Sequence, residues 1–237
     1  MRKTRKAAAV LTAFAMAAVS AVPAMADEIK DLYDYELQSR EIETWNVLYS
    51  QLATDLQVLT NLYDGLLESD EYGKLVPAVA ESWETEDNGI TWTFHLRQGV
   101  KWVDQNGNEK GEVTAQDFLT GLEWVLNFHK NDATNTAMPM EMIEGAEDYY
   151  NMTSELDADA GFALTAESPE FADTVGIKAI DDYTLQYTCV SEKPYFDTLG
   201  VKLLYPISQG MIDEIGVDGF KAATPENSWY NGGYTCT

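Results

Sequence analysis

Apolar positions divide the chain into segments of two periods. Leu56, Leu59, Leu62, Tyr63, Leu66 and Leu67 recur at helical spacing, with Asp55 placed to cap and Gly65 near the stop. The unit DLQVLTNLYDGLL therefore predicts a helix running into a turn. Ahead of it, Glu43 to Thr54 shows no firm period and reads as an ordered loop or short helix. Val76-Pro77 interrupts regular structure, because a residue before proline is biased away from the helical region. Asp87-Asn88-Gly89 then marks a turn.

Beyond that turn the period drops to two. Trp92, Phe94 and Leu96 alternate with Thr91, Thr93 and His95, as a half-buried strand requires. A second strand is expected around Val100 to Val103, followed by Asn106-Gly107, a strong hairpin signal. Thr114 with Asp117 three residues later forms a capping-box pattern, and Phe118, Leu122, Val125, Leu126 and His129 would line the inner face of the helix it opens. Asn131 to Asn135 reads as a loop, Met138-Pro139-Met140 opens another segment, and Ile143 to Tyr150 reads as helix. Asn151 to Ala172 is acidic, Ala-rich and weakly patterned, which suggests a surface insertion. Ile177 and Ala179 precede a turn at Asp181-Asp182, after which Leu185, Tyr187 and Cys189 share one strand face. Ser208 is placed to cap a short helix over Gln209 to Ile215. Strands interleaved with helices make the fold class mixed α/β (α+β).

Composition adds an address and a charge. Arg2, Lys3, Arg5 and Lys6 precede an apolar run from Ala7 to Val22, and Pro23-Ala24-Met25-Ala26 offers a small-residue cleavage site before Asp27. This is the pattern of a secretory signal peptide cleaved after Ala26. Its core is too short and Ala-rich for a membrane span of about 20 strongly apolar residues. The chain has 15 basic and 40 acidic residues; removing four basic ones with the signal moves the net charge from −25 to −29. Such a surface repels nucleic acid. Aromatic residues at 11% and clear periodic segments argue against disorder. Cys189 and Cys236 both lie in strand-like sequence, and an oxidising compartment leaves a disulfide or two free thiols open.

Candidate chemistry is sparse. Asp104 to Glu109 superficially resembles a calcium loop, but the twelfth position, where a bidentate Glu belongs, is Ala115, so a hairpin turn explains it better. Asp157 and Asp159 lack a third ligand pattern, and His95 and His129 are isolated imidazoles. No metal site and no cofactor are expected. There is no G-x-S-x-G, H-E-x-x-H or P-loop pattern, and neither cysteine has a neighbouring histidine. Trp83, Trp92, Trp102 and Trp124 could line a sugar cleft, but their alternation with polar residues favours a core role. With no catalytic constellation, the residues suit a binding protein better than an enzyme.

Several motifs occur in an order that resembles one family. They are LYDGLL at Leu62 to Leu67, GKLVPAVAESWE at Gly73 to Glu84, GITWTFHLRQGVKWVD at Gly89 to Asp104 and VTAQDF at Val113 to Phe118. VGIKAIDDYTLQYT at Val175 to Thr188, KPYF at Lys193 to Phe196 and NGGY at Asn231 to Tyr234 follow. Together they resemble the oligopeptide/dipeptide ABC-transporter extracellular solute-binding proteins. The resemblance implies a periplasmic-binding-protein-like fold of two lobes with an extra domain, the second lobe missing from this chain. By that analogy residues 27–72 and 174–237 are first-lobe pieces and 73–173 the extra domain. It also implies a peptide ligand, ABC permease subunits as partners, a monomer and an exported location. Gln51 and Ala53, before the LYDGLL helix, and Met138, at the extra domain's edge, are the positions it suggests for ligand contact. Gly107 to Gly111 is an insertion relative to many relatives, and Gly233 varies the N-G-x-Y/F element. An oligosaccharide-binding member of the same fold group and an exported glycoside hydrolase are the alternatives; the latter needs two facing acids.

Overall fold

The first helix, α1 (Ala53–Leu62), runs into a turn just before Gly65, as its apolar spacing predicts. In this computed structural model, which describes residues 41–50, 52–131 and 135–236, the chain turns extended at Tyr63. Gly65 follows in the turn, packed so closely on the Gly200 carbonyl that a Cβ there would overlap it. Leu66 and Leu67 are still buried, but from a turn and from β1 (Leu67–Ser69), which pairs with β2 (Leu75–Pro77). Asp55 is not the cap, since Leu52 occupies that place with extended dihedrals. Asp55 lies buried in the first turn, where a carboxylate also suits the helix dipole. The expected signal peptide, residues 27–40 and Gln51 lie outside the described residues, as does most of the expected 131–135 loop.

The two-residue period is realised as a four-stranded antiparallel sheet. β3 (Ala80–Glu86) and β4 (Thr91–Leu96) form a hairpin through Asp87 and Asn88, both with positive φ (51° and 58°). Trp92, Phe94 and Leu96 are buried, as their alternation predicts. β5 (Lys101–Val103) and β6 (Glu109–Glu112) make a separate hairpin around Asn106-Gly107. The Asp104 carboxylate there accepts hydrogen bonds from the backbone of Asn106 (2.9 Å) and Asn108 (3.0 Å), which is turn chemistry. Glu109 to Gly111, within the expected insertion, form most of β6.

Helix α2 (Ala115–Leu126) opens with the expected capping box, the Thr114 amide donating to Asp117 Oδ2 at 2.8 Å. Its burial is not one-sided: Phe118, Leu119, Leu122, Trp124, Val125 and Leu126 are all buried, and so are Thr120 and Glu123. A helix covered all round is an interior element. His129 falls beyond its end. α3 (Ala137–Met142) and α4 (Ala146–Ser154) are separated at Ile143 to Gly145, so the expected helix begins only at Ala146. Ile143 instead bridges to Cys189.

Most of the segment after α4 is exposed, in keeping with the expected surface insertion, yet it is regular and tied to the core. It forms α5 (Ala158–Ala163) and α6 (Pro169–Ala172), and Phe171 is fully buried, edge-on to Tyr149 with ring centres 5.2 Å apart. Phe171 anchors it together with polar contacts from Asn127, His129 and Lys130 to the carbonyls of Gly161, Leu156 and Leu164. β7 (Ile177–Asp181) and β8 (Thr184–Thr188) complete the sheet in the order β3-β4-β8-β7, with Leu185, Tyr187 and Cys189 buried. A segment boundary at 173 therefore passes through one sheet, because β4 pairs residue by residue with β8 from Thr91–Thr188 to His95–Thr184. A 3-10 helix (Phe196–Val201) and α7 (Gln209–Lys221) follow, and α7 breaks at Gly216, just after the predicted Gln209 to Ile215 helix.

Candidate functional site

Residues 43–50 and the start of α1 form an irregular segment held in place by side chains. The Asp55 carboxylate accepts from the amides of Glu43 (3.2 Å) and Thr44 (3.4 Å) and from the Ser50 hydroxyl (3.1 Å). A buried carboxylate so surrounded folds the segment back over the helix it precedes. Asn46 works outward: its Nδ2 donates to the Phe220 carbonyl in α7 at 2.8 Å, while its Oδ1 accepts from the Leu48 amide at 3.0 Å. Val47, Leu48 and Ser50 are consequently buried although they belong to no helix or strand.

The other end of α1 is clamped by the NGGY element. Asn231 Oδ1 accepts from the Asp64 amide (3.2 Å), and its Nδ2 donates to the Asp64 carbonyl (3.0 Å). One side-chain amide thus satisfies both backbone groups of a residue far away in sequence. The Gly232 amide donates to the Leu62 carbonyl at 2.9 Å and that of Tyr234 to Asn61 at 3.1 Å. A Cβ on Gly232 would lie 2.7 Å from the Leu62 carbonyl carbon, so glycine is required for this approach. Burial, reinforced by Glu68 and opposed by Arg97, pushes the Asp64 carboxyl up to about 6. Burial also pushes the Tyr63 hydroxyl up to about 12, against a hydrogen bond with Ser228.

Of the residues expected at a ligand, Ala53 is exposed at the first position of α1. Met138 is exposed on α3, a different element. Gln51, expected beside Ala53, lies outside the described residues. Trp92, Trp102 and Trp124 are core residues; Trp83 is partly buried and donates to Asp197 Oδ2 at 3.2 Å. His95 pairs with Glu84 at 3.0 Å, and His129 contacts the Leu156 carbonyl at 2.9 Å. Among the described residues no group of three or more His, Cys, Asp and Glu could hold a metal ion. Both cysteines are free thiols, Cys189 buried beside Ile143 and Cys236 half-buried near Tyr230. Asn46 and Asn231 were missed as organising residues, and Asp55 was singled out only as a cap. The N-G pair of NGGY carried a signal as well, but it does not name its partner.

Residues 74–237 match the family described as bacterial extracellular solute-binding proteins, family 5 middle. The oligopeptide-binding protein AmiA of Streptococcus pneumoniae is 35% identical over 225 residues, which is 94% of this chain and 31% of AmiA. The periplasmic oligopeptide-binding protein OppA of Escherichia coli is 35% identical over 177 residues, 74% of this chain and 28% of OppA. The substrate-binding domain of an oligopeptide ABC transporter from Bacillus anthracis superposes with a TM-score of 0.66 at 28% identity, covering 83% of this chain and 33% of that one. Haemophilus influenzae OppA in complex with RPPGFSPFR gives a TM-score of 0.62 at 29% identity, covering 80% and 32%. The chain spans about a third of the length of these relatives. On the match over residues 74–237 and the identity with AmiA across 94% of its own length, the chain belongs to the bacterial extracellular solute-binding proteins of family 5.

Proposed function

We propose that this chain serves in the solute-binding component of an ABC importer, capturing oligopeptides outside the membrane and delivering them to the permease. The observation that carries this reading is 35% identity with an oligopeptide-binding protein across 94% of the chain. In this reading Ala53 and Gln51 face the ligand from the first lobe and Met138 reaches toward it from the extra domain. An extended peptide satisfies main-chain donors and acceptors through the backbone, leaving side-chain pockets free to be permissive. Binding favours the closed arrangement, which the permease recognises. The protein acts as a monomer, after export and cleavage following Ala26, and performs no catalysis. Its acidic surface leaves no role for nucleic acid.

The oligosaccharide alternative loses its main support, because three of the four tryptophans proposed for a sugar cleft are buried in the core. Thermal-shift screening of the full-length secreted protein separates the readings. A peptide-specific rise in melting temperature supports capture. A rise with oligosaccharides alone, or turnover of a glycoside, would overturn it. N-terminal sequencing of the secreted form should begin at Asp27.

A further inference from the structure

Beneath the 43–50 segment lies an ion pair sealed from solvent. Glu123, on α2, and Lys130, just past its end, are both buried, with Nζ to Oε2 at 2.7 Å. Every oxygen of the carboxylate is engaged, since Oε1 accepts from the Tyr149 hydroxyl (2.8 Å) and from Asn127 Nδ2 (2.9 Å). Lys130 Nζ also donates to the Leu164 carbonyl and sits 5.2 Å from the Trp124 ring centre. Asn127 Nδ2 reaches the Gly161 carbonyl as well, at 2.9 Å. The pair thereby joins α2, the 127–131 loop, α4, the end of α5 and the residue that follows it.

Such a pair is poor value as a source of stability, because an apolar replacement of similar volume often does as well. Its distinctive product is geometry. With Lys130 held by its ammonium group, its backbone carbonyl is fixed in place, and that carbonyl accepts the Tyr49 hydroxyl at 2.9 Å. Tyr49 Oη in turn accepts from Trp124 Nε1 at 2.7 Å. Trp124 stacks edge-on against Phe220 at 4.5 Å, and the Phe220 carbonyl receives Asn46. Two anchors of the 43–50 segment, Asn46 and Tyr49, therefore rest on one frame. The same frame holds the loop from which the chain proceeds toward α3 and Met138.

We infer that Tyr49 and the Glu123–Lys130 pair are positioning residues for ligand capture: they set the segment leading into α1 against α2 without touching the ligand. This rests on the peptide-capture reading. Other side chains keep the segment folded, whereas Tyr49 ties its register to the extra-domain side of the molecule. Amide hydrogen exchange and peptide calorimetry on the full-length protein and its Tyr49→Phe variant test it. Protection at residues 46–56 should fall about tenfold, the scale of one or two lost hydrogen bonds, while β4 and β8 keep theirs. Peptide affinity should weaken by a similar factor. Unchanged protection at 46–56, or an equal loss throughout the sheet, overturns the positioning role. If the segment loosens but affinity for a bound peptide is unchanged, its role in capture is overturned. If the unaltered protein binds no peptide, capture itself fails, and the exchange pattern still decides whether Tyr49 positions the segment. Trp124→Phe, which removes the donor to Tyr49, should reproduce the exchange pattern; its failure to do so counts against the Tyr49 link.

Discussion

The inner face of the four-stranded sheet and the two clamped ends of α1 are both buried, but they are held by different physics. On the inner face of the sheet Trp92 and Tyr187 meet Phe196, Phe94 packs between Trp92 and Tyr187, and Leu185 is buried beside them in sequence. Its buried polar exception is the Tyr187 hydroxyl, which has no hydrogen-bond partner. Around α1 the work falls to Asp55, Asn46 and Asn231, each directed at particular backbone groups. Area-driven packing tolerates substitutions of similar volume. Directional packing does not, because a missing partner leaves a buried polar group unpaired.

The severest break should come from Lys130→Met. It leaves the Glu123 carboxylate buried without its cation and should cost about 3–5 kcal/mol in urea unfolding. Adding Glu123→Gln, which keeps an acceptor for Tyr149 and Asn127, should recover at least half of that loss. A double variant as unstable as the single would show that volume, not charge, governs this site.

Asp117 offers a pH test of the same contrast. Burial pushes its carboxyl up to about 6, although the Thr114 backbone, Trp102 and the Thr114 hydroxyl oppose the shift. The folded protein therefore holds more protons than the unfolded chain between the ordinary value of 3.8 and about 6. Stability from this group is present below 3.8 and is lost as pH rises through about 6. Asp64, also raised to about 6, acts in the same direction. Both principal bonds at Asp117 end on Oδ2, from the Thr114 amide at 2.8 Å and from Trp102 Nε1 at 3.2 Å, so an asparagine oxygen can replace it. Asp117→Asn should flatten the pH profile and gain up to about 3 kcal/mol relative to the wild type at pH 7 over pH 4. An unchanged slope in denaturation curves across that range would contradict the assignment.

Asn231→Ala should cost about 2 kcal/mol, since it unpairs both the amide and the carbonyl of Asp64. A loss below about 0.5 kcal/mol would mean that solvent takes over the clamp. The smallest effect belongs to the sheet: Tyr187→Phe removes a hydroxyl with no partner and should change stability by less than about 1 kcal/mol, in the stabilising direction. A marked loss would reveal an unrecognised polar contact inside the apolar face.

The sheet was legible because alternation is a local property. Trp92, Phe94, Leu96, Leu185 and Tyr187 occupy the face their spacing predicts, and Asp87-Asn88-Gly89 and Asn106-Gly107 turn where their backbone preferences allow. The capping box was legible for the same reason, since Thr114 and Asp117 are three residues apart. The helix running into a turn near Gly65 was legible too, but that Leu66 and Leu67 stay buried from a non-helical path was not, because spacing alone does not separate the two. Asp55 has the composition of a cap and the position of a first-turn acid, a difference of three residues that burial decided.

Sequence by itself determined the strands, the turns, the capped helix and the order of motifs, because each depends on neighbours within a few residues. Tertiary structure alone decided that α2 is buried on every side, that β4 and β8 share a sheet, and that Asn231 reads the backbone at Asp64. It also decided that Tyr49 leans on a carbonyl fixed by an ion pair 81 residues further along the chain. A side-chain amide or hydroxyl carries no record in sequence of which distant donor or acceptor it will meet; only folding brings the two together.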